Sequence, residues 1–163
     1  MTDKLIISHR GLLEGPDDAL ENRPDQIIAA LAAGFDVEID AWYINGKWML
    51  GHNAPVHEAS WDLISKPGLW IHCKNIPAFF ALRGDDGGHN YFWHDSDAVV
   101  LTSRGNVWTY YGAPETLSPY SICVMPEATR TWDEIEEVVK TEDWYGYCTD
   151  WPRKIANAIQ LNL

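Results

Sequence analysis

Phe35-Asp36-Val37-Glu38-Ile39-Asp40 is the stretch that most constrains how this chain can fold. Apolar Val37 and Ile39 alternate with acidic Asp36, Glu38 and Asp40. That alternation marks a strand with one apolar face and one acidic face. Glu38 and Asp40 are two apart, so their carboxylates point the same way and repel each other. A shared proton or a bound cation relieves the repulsion. Asn45-Gly46 follows, a strong hairpin signal. Residues 41–44 are therefore expected to fold back against 47–50, bringing Gly51-His52-Asn53 to the end of the sheet that carries Asp40.

The remaining chain alternates strand and helix signals. Short apolar runs at 4–8, 69–73, 91–93, 98–101, 107–111, 120–125 and 144–148 read as strands. A helix is predicted to open near Asn22–Asp25 with Pro24 and to close at Gly34. Others are predicted over 58–65, 77–83, 132–140 (begun by Thr131) and 153–161. Strands alternating with helices argue for an α/β fold with a parallel sheet. Seven or eight strands point to a closed, compact TIM-type (β/α) barrel, as one domain over residues 1–163. Such barrels usually need about 200 residues or more. Several crossover helices are therefore expected to be shortened or missing, with some of the nine tryptophans covering the gaps.

Charge narrows the partners. Acidic residues number 24 against 12 basic ones, for a net charge of -12. Such a chain repels nucleic acid and anionic lipid at long range, so neither is expected as a partner. A phosphate-bearing substrate would have to be attracted locally. The run 4–7 is too short for a signal peptide or a membrane span, and a cytoplasmic location is expected. Cys73, Cys123 and Cys148 stand singly in apolar segments and read as buried free thiols.

In β/α barrels chemistry gathers at the C-terminal ends of strands. His9 and Arg10 follow the first strand. Glu38 and Asp40 end the second, and His52 returns to the same rim. His72 and Lys74 end the next strand, two apart. Each has a bland alternative: a loop-capping His9, a solvated acidic edge, a turn histidine at 52, a solvated Lys74. Glu21 and Asn22 read as helix caps. His94, Asp95 and Asp97 read as turn residues, and Arg104 as a hairpin-loop residue. Glu127 and Asp150 end strands but are set outside the chemistry.

His9-Arg10-Gly11, Glu21-Asn22, Glu38-Ile39-Asp40 after Ala33-Gly34, Gly51-His52, Lys74 and Thr149-Asp150-Trp151-Pro152 occur in an order that resembles one family. It is the glycerophosphodiester phosphodiesterases, within the phospholipase-C-like phosphodiesterases. The resemblance is dense over 5–53, patchy to 75, and resumes near the end. It implies a barrel that hydrolyses a small glycerophosphodiester-like substrate with one divalent metal ion, magnesium or calcium. His9 and His52 would be the general acid and base, since imidazoles titrate near neutrality. Glu38 and Asp40 would hold the metal, and Arg10 and Lys74 would meet the phosphoryl oxygens.

Two departures stand out. The family usually carries Glu-x-Lys on the third strand, where this chain has His72. His72 reads equally as a metal ligand or as a hydrogen-bonded rim histidine; as a ligand it shifts preference toward manganese or zinc. Asn53 stands where the family usually has Asp. Two alternatives follow: a non-catalytic phosphate- or metal-binding domain, and a lyase-type phosphodiesterase releasing a cyclic phosphate. Assembly as a homo-oligomer is left open.

Overall fold

The acidic strand is the hub of the sheet. The computed structural model describes residues 4–85, 87–110 and 118–160. Its strands are β1 (Leu5–His9), β2 (Asp36–Ile44), β3 (Lys47–Leu50), β4 (His57–Ala59), β5 (Leu69–Cys73), β6 (Asn90–Phe92), β7 (Val99–Leu101), β8 (Val107–Tyr110), β9 (Ser121–Val124) and β10 (Gly146–Thr149). The helices are α1 (Pro24–Ala32), α2 (Trp61–Ile64), α3 (Ile76–Arg83), α4 (Trp132–Thr141) and α5 (Pro152–Gln160). β2 pairs in parallel with β1 on one side and β5 on the other, and its far end turns back at Asn45-Gly46 to pair antiparallel with β3. The positions 111 and 161, at the ends of a predicted strand and helix, lie outside the described residues.

The closed, helix-rich TIM-type barrel expected from the sequence does not form. The sheet is a curled, mixed half-barrel with five helices among the described residues. Parallel ladders run in the order β6-β5-β2-β1-β10-β9-β8, and β3, β4 and β7 join antiparallel. Among the described residues no ladder joins β6 to β7 or β8. The cause is chain length between strands. A parallel return needs a crossover of about 10–12 residues or more. The segments 93–98 and 102–106 are shorter than that, so β7 folds back on β8 instead of contributing a helix-covered strand. The helix predicted over 58–65 also gives way. Glu58 stands opposite Met49 and extends the hairpin as β4, leaving only the one-turn α2, capped by Ser60.

The two faces of β2 go to two different interiors. Val37, Ile39 and Ala41 are wholly buried on the convex side, packed with Ile27 and Ala30 of α1 and Ala78 and Leu82 of α3. Asp36, Glu38 and Asp40 face the concave side. Below them that side is filled by Ile7, Trp70, Phe92, Trp108, Ile122, Val124 and Cys148. Trp108 lies 5.7 Å from Trp70 and 4.8 Å from Phe92, ring centre to ring centre. These rings occupy the hollow between β6 and β8 where the ladder is not closed. A third cluster seats α4 and α5 on β9 and β10. α4 opens with a capping box between Thr131 and Glu134. The three cysteines are buried and free, as their isolated apolar settings predict. Among the described residues no helix is long and apolar enough to cross a membrane.

Candidate functional site

Strand register builds the site. In the β1–β2 ladder His9 stands opposite Glu38, and in the β2–β5 ladder Asp40 stands opposite His72. Paired strands lie about 4.8 Å apart, so four chemical side chains from three strands share one patch of the concave face. Lys74 follows β5, its backbone amide donating to the Ala41 carbonyl. Its Nζ reaches Asp40 Oδ1 at 3.5 Å. His52 arrives by the hairpin. Gly51 has φ 143, and a Cβ there would sit 2.1 Å from the Ala54 carbonyl oxygen, so only glycine fits this turn. The Gly51 amide donates to the Asp40 carbonyl, and the turn sets His52 Nδ1 3.2 Å from both Asp40 carboxylate oxygens.

Arg10 and Asn22 enter from loops, both in the left-handed region at φ 53 and φ 58. Arg10 donates its backbone amide to Glu38 Oε2 and its Nη1 to Glu21 Oε2 at 2.6 Å. Its Nε stands 3.2 Å from Asp40 Oδ2 as an ion pair, off the hydrogen-bonding direction. Asn22 is wholly buried. Its Nδ2 donates to Asp40 Oδ2, and its Oδ1 accepts from the Asp40 backbone amide, both at 2.9 Å. The helix-cap reading of Asn22 is thus replaced: Arg23 takes the cap position of α1, and Asn22 clamps Asp40.

The pKa values of the two carboxyls are displaced in opposite directions. Burial pushes the Glu38 carboxyl up, and the Asp40 charge adds to it. Burial also acts on Asp40, but hydrogen bonds from His52 and His72 and the Arg10 charge outweigh it and hold Asp40 well below the usual carboxylate range. The His9 ring works against burial, which lowers its pKa. Its hydrogen bond to Asp150 and the nearby Glu38 charge prevail, and the net shift is upward.

No family model matches the chain, and no curated protein or solved structure does either.

All seven residues singled out in the sequence converge: His9, Arg10, Glu38, Asp40, His52, His72 and Lys74 lie around the Asp40 carboxylate or its neighbour Glu38. Besides Glu21, which holds Arg10, three residues join them that the sequence assigns to other roles. Asp150 Oδ1 lies 2.7 Å from His9 Nδ1. The signal for this was the parallel register of Ser8 with Thr149, which puts the next residues side by side, and it is visible only once β1 and β10 are known to pair. Asn22 is the second. His94 is the third: its ring stacks 4.5 Å from that of His72, which also stacks on Phe92 at 5.1 Å. Burial and the neighbouring His72 and Lys74 charges lower the His94 pKa. Asp95, Asp97 and Arg104 stay exposed.

The donor set fits a divalent cation. One ligand atom each from Glu38, Asp40 and His72 lies within 4.8 Å of the other two, and all three residues are buried. Two carboxylates and one imidazole, with further positions left for water or substrate, suit manganese, iron or zinc better than an all-oxygen set would.

Proposed function

We propose that this protein is a metal-assisted phosphodiesterase acting on a small diester of the glycerophosphodiester class. One observation carries the reading: two histidines, each tethered at Nδ1 by a carboxylate, flank a buried acidic pair that also gathers an arginine and a lysine. Asp150 holds His9 at 2.7 Å and Asp40 holds His52 at 3.2 Å. With Nδ1–H donated to a carboxylate, the free lone pair of each neutral ring is on Nε2. His9 Nε2 turns inward, 3.8 Å from Glu38. One ring takes a proton from the attacking hydroxyl or water, and the other, charged, gives a proton to the leaving oxygen. Arg10 and Lys74 bind the phosphoryl oxygens, where charge grows in the transition state. Glu38, Asp40 and His72 would hold the metal ion, which when bound supplies Lewis-acid polarisation of a phosphoryl oxygen.

The test is turnover of glycerophosphodiesters with added divalent ion, read by phosphorus NMR. Either His9→Ala or His52→Ala should lower kcat roughly 10²- to 10⁴-fold. Full turnover in either folded variant would remove the mechanism. The same spectra separate a phosphomonoester from a cyclic phosphate product. A second reading, a non-catalytic phosphate- or metal-binding domain, is favoured by His72, which removes one negative charge from the ligand set. Ion or phosphate binding without turnover of any diester would establish it.

A further inference from the structure

We infer that Glu127 is a positioning residue for His9, acting through Asp150; the inference rests on the reading of His9 as one of the acid/base pair. After β9, Met125 adopts the left-handed conformation (φ 50), and Pro126–Ala128 forms a single 3-10 turn. The reversal aims Glu127 back at the end of β10. Glu127 Oε1 accepts from Thr149 Oγ1 at 2.6 Å and from the Asp150 backbone amide at 2.8 Å. The Met125 amide donates to the Cys148 carbonyl at 2.8 Å, so the turn is fastened to β10 at both sides of Thr149. Thr149 Oγ1 in turn accepts from the Trp151 amide. The residue that follows a strand is ordinarily free to rotate. Here the Asp150 peptide is pinned, and its carboxylate, 5% exposed with its residue, reaches His9.

The chain Glu127–Asp150–His9 thus crosses the ends of three neighbouring strands, β9, β10 and β1. Thr149 Oγ1 and the Asp150 amide need only a neutral acceptor, whereas a carboxylate buried here costs desolvation. Burial pushes the Glu127 carboxyl up, and its second oxygen, Oε2, is buried without a hydrogen-bond partner. What the two accepted bonds do is hold an oriented Asp against a histidine. It fixes the Nδ1–H tautomer and the direction of Nε2, and a misplacement of about 1 Å at a reacting group can lower rate by about 10²-fold.

The test uses the full chain with ¹⁵N-labelled histidine. Long-range ¹H–¹⁵N spectra identify the His9 tautomer and its low-field Nδ1 proton, with Asp150→Ala marking complete loss. Glu127→Ala should lose that proton signal and lower kcat roughly 10- to 100-fold at little changed KM. Glu127→Gln, whose amide oxygen can accept from the same two donors, should restore the signal and most of the turnover. A folded Glu127→Ala that keeps both the His9 signal and kcat overturns the inference. If Glu127→Ala does not fold, Glu127→Met keeps the bulk and carries the same comparison. A folded Glu127→Gln without the His9 signal overturns the inference too. A wild-type chain without phosphodiesterase turnover would refute the proposed function, while the His9 signal would still decide the relay.

Discussion

Asp36, Glu38 and Asp40 occupy one face of one strand, yet their surroundings treat them differently. Asp40, at the rim, is met by Asn22, Arg10, His52, His72 and Lys74. Asp36, at the other end, receives a hydrogen bond from Trp70 Nε1 at 2.8 Å. Burial raises the Asp36 pKa, and that bond only partly offsets it. A carboxyl whose folded pKa is raised favours the fold in its protonated form. Its stabilising contribution is present below the ordinary Asp range and is lost as pH rises through the raised folded value. Asp36→Asn keeps an acceptor for Trp70 and removes the ionisation. The variant should therefore be more stable than wild type at pH 7, with the difference closing as the pH is brought below the Asp range. Urea midpoints at the two pH values check this. An unchanged difference across that range would show that ionisation of Asp36 is not the cause.

At the scale of elements, what was legible was local. Asn45-Gly46 made the β2–β3 hairpin, and Thr131 with Glu134 made the capping box of α4, because both signals act within a few residues. What was not legible depended on partners distant in sequence. Nothing within residues 58–65 says that Glu58 will pair with Met49 of β3. Nothing near Asp150 says that β10 lies beside β1. The two kinds of feature should differ in cost. Thr131→Ala removes one cap and should lower stability by about 1 kcal/mol. Trp108→Ala empties the concave interior between Trp70 and Phe92, where Trp108 is only 4% exposed, and should cost about 3–5 kcal/mol. Because His72 stacks on Phe92, the Trp108 variant should also disturb the site, whereas the Thr131 variant should leave it intact. Denaturant titration, with the histidine ring signals followed in parallel, separates them.

At the scale of the whole molecule, the seven site residues came together although the expected barrel did not close. The reason is that the site needs only β1, β2, β5 and β10, which are adjacent in the sheet, with His52 carried in by the hairpin. Closure would have involved β6 to β8, where the connecting segments are short and aromatic rings fill the interior. Count and alternation of strands suggest a barrel, but the lengths of the intervening segments decide whether one can close. The same adjacency makes metal binding a matter of global stability. Glu38, Asp40 and His72 sit on two central strands, so an ion bound to the folded chain alone must stabilise the whole sheet. At 100 times its Kd such an ion adds about 2.7 kcal/mol. For a chain of this size, each kcal/mol raises the melting temperature by roughly 2–4 °C. Manganese or zinc should therefore raise it by several degrees, and magnesium by less, because one ligand is an imidazole. His72→Asp should reverse the order by restoring an all-oxygen set, and Glu38→Gln should weaken the response to every ion. Equal shifts for all ions in wild type and in both variants would mean that the ion binds elsewhere on this acidic surface, as a net charge of -12 readily permits.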